Sequence, residues 1–149
     1  MMRVLIAAML IAASLTAPPP ARAQVQMPGD TQILVLVRTA LLTLNDALQT
    51  GNYTVLRDVA APSFREANDA SKLARAFTDL QSSGMELSMV AVMTPKFDPK
   101  PALDKKNKTL RITGVFPGKP VGIGFDLLYQ VVGGRWKLFG ISVNPVKSG

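Results

Sequence analysis

The sequence predicts an α+β domain in which three N-terminal helices cover the concave face of a strongly bent, four-stranded antiparallel sheet. Over residues 33–48, apolar side chains recur at intervals of three and four, which is typical of an amphipathic helix. From residue 85 onward they alternate with polar side chains, which is typical of half-buried strands. Because helices and strands are segregated along the chain, we expect the helices to pack on one face of the sheet.

Residues 1–23 have the features of a secretory signal. Arg3 precedes an apolar run over residues 4–17, which is shorter than the roughly 18 residues of a stable membrane-spanning helix. Small residues at Ala21 and Ala23 fit a signal peptidase, so we expect cleavage after Ala23. The mature chain is then periplasmic or secreted, with no membrane span. An uncleaved membrane anchor is the alternative.

The rest of the chain predicts one domain over residues 30–145, with a linker over residues 24–29 before it and a tail over residues 146–149 after it. Capping residues and helix breakers set the helix boundaries. The second helix ends before Pro62, which cannot continue it. The predicted helices are one that starts at a cap on Asp30 or Thr31 and ends at Gly51, a second over residues 55–60, and a third over residues 70–81.

Four strands are predicted after the helices. The last two form a hairpin, because Gly133 and Gly134 tolerate the positive φ angles that a two-residue turn requires. Interior glycines permit bends and bulges, so we expect the sheet to curve. The strands cover residues 85–95, 108–116, 121–132 and 135–145, with a loop over residues 98–107. One face of the third strand carries Val121, Ile123, Phe125, Leu127, Tyr129 and Val131.

A bent sheet under helices encloses a pocket, and an apolar pocket suits a small ligand. Met85, Met89 and Met93 share one face of the first predicted strand, where flexible thioethers fill an adaptable pocket. Binding of a soft metal such as copper is the alternative for these methionines. The residues expected to line the pocket are Tyr53, Phe64, Phe77, Met89, Phe116, Phe125 and Tyr129.

The formal net charge of +7 is concentrated locally. Lysines crowd into the segment that follows the first predicted strand, where they either keep a loop solvated or bind an anionic polymer. Phe97 is the one aromatic residue between Lys96 and Lys108, which is less than the repeated interleaving of single-strand nucleic-acid binders, so we expect no nucleic-acid partner. These lysines are Lys96, Lys100, Lys105, Lys106 and Lys108, with Lys119 close behind.

Three stretches resemble the nuclear-transport-factor-2-like superfamily, the cone-shaped α+β fold that includes SnoaL-like and ketosteroid-isomerase-like proteins. They are LQTGNY at residues 48–53, APSFR at residues 61–65 and YQVVGGRWKL at residues 129–138. The resemblance implies helices packed over a curved sheet, and a homodimer formed through the outer sheet faces. It does not imply one activity, because the superfamily holds enzymes, binding modules and accessory domains.

The amino-acid composition limits the kinds of catalytic and metal site that the chain can form. The chain has no histidine and no cysteine, which excludes histidine bases, histidine-dependent triads and thiolate metal sites. No phosphate-binding loop or dinucleotide fingerprint is present, so we expect no cofactor and no metal site. Carboxylate–tyrosine chemistry of the ketosteroid-isomerase kind remains, with Asp58, Asp126, Tyr53 and Tyr129 as candidates.

Alternation places Asp126 and Tyr129 on opposite faces of one strand, so they do not serve one pocket unless a bulge lies between them. We expect Asp126 to pair with Arg111 or Lys137 on the outer face, and Tyr129 to be a core residue with one buried hydrogen-bond partner. No catalytic residue is assigned on this basis.

The sequence therefore favours a secreted, non-catalytic binding module. It would hold a small apolar ligand in the cone or a protein partner on the sheet face. The first alternative is an isomerase- or cyclase-like enzyme that uses a buried carboxylate and a tyrosine. The second is an envelope-associated protein that binds an anionic polymer through the lysine segment over residues 96–119.

Overall fold

The computed structural model describes residues 24–147, so the predicted signal over residues 1–23 and its cleavage position lie outside the described residues. Five α-helices and a short 3₁₀ helix, Ser88–Ala91, precede all strands of an open antiparallel sheet. The helices are α1 Asp30–Thr50, α2 Thr54–Val59, α3 Pro62–Ala67, α4 Ala70–Ala76 and α5 Thr78–Ser82. The strands are β1 Lys96–Phe97, β2 Ala102–Asp104, β3 Thr109–Phe116, β4 Val121–Val132 and β5 Arg135–Lys147.

Helix α1 supplies the helical side of the core. Its predicted apolar stripe is buried, and the hydroxyl of Tyr129 in β4 donates to the carbonyl oxygen of Leu36 at 2.8 Å. Gly51 ends the helix at φ 69°, as predicted. The predicted cap is wrong, because the helix includes Asp30 and is preceded by Gly29 in extended conformation. The Asp30 carboxylate instead lies in the first turn, where the helix dipole favours negative charge.

By length and composition, α1 is the one helix among residues 24–147 that could cross a membrane. In its most apolar stretch of 18 residues, 44% of the residues are buried. The core helix of a globular domain passes the same test. Here the buried residues of α1 belong to the same core cluster as the inward-facing residues of β3 and β4.

The number of predicted helices is wrong. Pro62 was expected only to end the second helix, but it also opens α3, because a first-turn residue needs no amide hydrogen and proline already has a helical φ. The predicted third helix over residues 70–81 is divided into α4 and α5 at Phe77, whose φ and ψ are −104° and 12°. Its start is as predicted, since the Asp69 side chain accepts a hydrogen bond from the Lys72 amide at 2.7 Å.

The sheet has strand order β1-β3-β4-β5, with β2 also paired to β3. Positive φ angles at Gly133 and Gly134 form the predicted hairpin turn. The predicted strand end at residue 145 is two residues short, because Val146 pairs with Gly122. The predicted loop over residues 98–107 also contains β2, and the register of β4 and β5 shifts after Leu128.

The strand predicted over residues 85–95 is wrong. Leu87 and Val90, three residues apart, are its fully buried side chains, and the chain between them turns as a 3₁₀ helix. Two polar side chains of α1 explain this. Asn45 Oδ1 accepts a hydrogen bond from the Leu87 amide at 2.9 Å, and Arg38 donates to the carbonyl oxygens of Val90 and Met93 at 3.0 and 2.9 Å. Because these backbone groups are bonded to α1, the segment does not join the sheet.

Candidate functional site

The residues predicted to line a pocket are mostly packed against one another. Phe116 and Phe125 have ring centroids 5.4 Å apart, and Phe97 meets Phe125 edge to face at 6.3 Å. These rings occupy space between the helices and the sheet. One core cluster contains Tyr53, Phe64, Phe77, Phe116, Phe125 and Tyr129. Met89 is the exception: 56% of it is exposed, because the strand expected to turn it inward does not form.

The two tyrosines are buried in different surroundings. Tyr53 stacks on Phe77 with ring centroids 5.9 Å apart, and its hydroxyl has no hydrogen-bond partner among the described residues. Burial raises the pKa of Tyr53 and, much more strongly, that of Tyr129, whose hydroxyl is bonded to Leu36. Both side chains are therefore neutral at physiological pH.

Neither tyrosine shares the core with a carboxylate. All ten acidic residues of the chain lie within the described part, where nine are exposed and Asp126 is half-buried on the outer face of β4. The buried carboxylate–tyrosine pair that the enzyme alternative requires is therefore not formed in this conformation.

An open groove of about 560 Å³ lies where the β3–β4 turn faces the segment over residues 85–93. We call it the methionine groove. Phe116 and Ile123, which are 0% and 7% exposed, form its floor. Its remaining principal lining residues are Met85, Met89 and Met93 on one side, with Glu86 and Lys119 also bordering it.

The polar contacts of α1 position the wall of this groove. Arg38 holds the carbonyl oxygens of Val90 and Met93, and Asn45 holds the amide of Leu87. The Met93 amide also donates to the Met89 carbonyl oxygen at 3.0 Å, which places these two methionines one helical turn apart. Residues four apart on a helical turn lie on the same side of it, so both thioethers face the same region.

The composition of this wall favours binding over simple packing. Met89 is 56% exposed, although a large apolar side chain gains free energy when it is buried. Exposed apolar residues that border a groove are a feature of ligand and protein interaction sites. Sequence reasoning placed Met89 and Phe116 in one site, but missed Arg38 and Asn45. The sequence feature that could have identified Arg38 and Asn45 is their spacing: they are seven residues apart, and hence on one face, in an otherwise apolar helix.

A second groove, of about 680 Å³, lies between the start of α1 and the segment over residues 94–101. Ile33, Leu34 and Phe97 contribute apolar surface, and Lys100 is the one predicted lysine that borders it. The other lysines are distributed elsewhere. Lys96 lies on β1, whereas Lys105, Lys106 and Lys108 lie in the turn between β2 and β3, and all are exposed.

The outer sheet face carries a cross-strand ion pair, as predicted. Both donor nitrogens of the Arg111 fork bond to the two oxygens of Asp126, one of them at 2.9 Å, and Thr113 Oγ1 donates to the same carboxylate at 3.1 Å. The Arg111 hydrogen bond lowers the pKa of Asp126. With its oxygens bonded in this way, Asp126 is a structural residue rather than a general base.

Replacing Asp126 by asparagine is expected to lower the free energy of unfolding at pH 7 by less than about 1 kcal/mol, because solvent screens exposed ion pairs. The pKa of Asp126 is lowered in the folded state, so its ion pair stabilises the fold above the unfolded carboxyl pKa of about 4. This stabilisation is lost as pH falls through the folded-state pKa. Urea titrations of both proteins between pH 7 and pH 2 should therefore converge at low pH. Asp58→Asn is the control, because Asp58 pairs with the adjacent Arg57 and its side chain is more exposed than that of Asp126. This substitution should change the free energy of unfolding at pH 7 by less than Asp126→Asn does.

Comparison with protein-family models, with curated proteins and with solved structures finds no match to this chain. The resemblance to the nuclear-transport-factor-2-like superfamily therefore rests on the three sequence stretches. The α+β order of elements and the antiparallel sheet are consistent with it.

Proposed function

We propose that this protein is a non-catalytic binding module that holds a small apolar ligand in the methionine groove. The observation that carries the proposal is an exposed methionine wall over a buried apolar floor, with Met89 opposite Phe116 and Ile123. A volume of about 560 Å³ is within the range of small-molecule sites. We also propose that the domain has nuclear-transport-factor-2-like architecture, with its ligand at the opening rather than deep inside the cone.

The properties of the wall indicate a class of ligand. Methionine side chains are unbranched and polarisable, so they adapt to apolar ligands of different shapes. Lys119 and Glu86 border the groove and can contact a polar end group, while the apolar part lies over Phe116. An amphipathic molecule with one polar end fits this arrangement better than a fully polar one.

A direct test uses a dansyl-labelled undecanoic acid, whose fluorescence increases when it enters an apolar site. Met89→Asp places a charge in the groove wall and is expected to weaken binding at least about tenfold, because a carboxylate loses solvation there. Val92→Asp is the matched control, since Val92 is exposed in the same segment but does not line the groove. Equal weakening by both variants, or no binding by the unchanged protein, would contradict the proposal.

One experiment can test both the cellular location of the protein and the identity of its natural ligand. We propose that the chain is exported and that residues 1–23 are removed, as their composition indicates. Native mass spectrometry of the chain purified from a periplasm gives the mature mass, and an excess mass released on denaturation identifies a bound molecule. The same spectrum tests the homodimer that the family resemblance implies.

A further inference from the structure

We propose that the methionine groove also binds a soft monovalent metal ion, Cu(I) or Ag(I), through thioether sulfur atoms. Met85, Met89 and Met93 all line this groove, and they are three of the four methionines among residues 24–147. Thioethers are soft ligands that select Cu(I) over harder divalent ions. Because the chain has no cysteine or histidine, methionine thioethers are its only soft side-chain ligands of this kind.

The backbone places the three methionines beside one groove. The hydrogen bond from the Met93 amide to the Met89 carbonyl oxygen closes one helical turn, so the two side chains start from the same side of it. Arg38 fixes this turn on α1 through the carbonyl oxygens of Val90 and Met93. Met85 borders the same groove from the preceding loop.

The exposure of the ligands permits metal entry. Met89 is 56% exposed, and Met85 and Met93 are half-buried, so an ion can reach the sulfur atoms without unfolding the segment. Thioethers are neutral and supply no charge, and the side chains of Glu86 and Lys119 both border the groove. A thioether also has no proton to release, so binding should be unchanged between pH 5 and pH 7, unlike binding by cysteine or histidine.

The test is isothermal titration of the mature protein with Ag(I), supported by native mass spectrometry for stoichiometry. We expect one Ag(I) per chain, a loss of affinity of about tenfold or more in each of Met85→Leu, Met89→Leu and Met93→Leu, and no binding in the triple variant. Leucine keeps the apolar volume and removes only the sulfur. Met27→Leu is the matched control, because Met27 is 42% exposed but lines the second groove.

Three results would overturn the inference: no Ag(I) binding, binding retained by the triple variant, or an equal loss in Met27→Leu. The inference shares a groove with the proposed function but does not depend on it. The leucine variants should still bind the dansyl fatty acid, whereas Met89→Asp should bind it at least about tenfold more weakly. If the protein binds Ag(I) but not the dansyl fatty acid, the metal site is supported and the proposed apolar ligand site is contradicted. If it binds the dansyl fatty acid but not Ag(I), only the apolar ligand site is supported.

Discussion

Gly114→Ala is expected to lower the free energy of unfolding by about 2–3 kcal/mol, the cost of inserting a methyl group into a packed region. A Cβ at this position would lie 2.9 Å from Cζ of Phe125 and would also collide with the carbonyl oxygen of Lys96. Phe125 is a core residue that packs against Phe97 and Phe116. The Lys96 oxygen belongs to β1, which is paired with β3 at this point, so neither neighbour moves without breaking other contacts.

Gly140→Ala is the matched control for this prediction, because Gly140 is also a strand glycine with an ordinary φ. Its Cβ would approach the Leu128 side chain, with Cδ1 at 3.0 Å and Cβ at 3.1 Å, but none of the three nearest atoms belongs to the backbone. A half-buried leucine can shift by a few tenths of an ångström, so the cost should stay below about 1 kcal/mol. Urea denaturation of both variants measures the difference. Equal loss in the two would show that the close approach of β1 to β3 does not restrict residue 114.

Asn45→Ala is expected to lower the free energy of unfolding by about 2–3 kcal/mol. The substitution removes the acceptor of the Leu87 amide, and a buried donor without a partner costs about 1–3 kcal/mol. Truncating a side chain that is only 8% exposed adds a packing loss. Ligand binding in the methionine groove should also weaken, because this hydrogen bond holds the wall of the groove on α1.

Hydrogen exchange and urea denaturation test this prediction together. The Leu87 amide should lose protection in Asn45→Ala, and binding of the dansyl fatty acid should weaken in parallel. Gln49→Ala, four residues along the same helix and exposed, should change the free energy of unfolding by less than about 0.5 kcal/mol. If the Leu87 amide kept its protection in Asn45→Ala, the segment over residues 85–93 would have to be held by its apolar contacts alone.

Helices, strands and turns that are determined by residues close together in the sequence were predictable from it. The apolar stripe of α1, its end at Gly51 and the long hairpin around Gly133 and Gly134 follow local rules of periodicity and turn conformation. The Arg111–Asp126 pair follows from the alternation of faces along β3 and β4. The buried positions of Tyr129 and Phe125 follow from the same alternation.

The candidate site was predictable only in part. Phe116 was assigned correctly to an apolar inner face, and it forms the floor of the groove. Met89 was assigned to the interior of a cone because residues 85–95 alternate as a strand does, yet it is exposed beside the methionine groove. A segment of this pattern joins a sheet only if its backbone groups find a neighbouring strand.

The sequence by itself therefore determined the α+β class, the principal helix, the terminal hairpin and the absence of histidine and cysteine chemistry. Only the tertiary structure decided that the methionines form the wall of an open groove. The physical reason is that Arg38 and Asn45, 52 and 42 residues from Val90 and Leu87 along the chain, bind backbone groups that a strand would have used. Periodicity describes which side chains are apolar, whereas the partners of a backbone amide depend on residues that are distant in sequence.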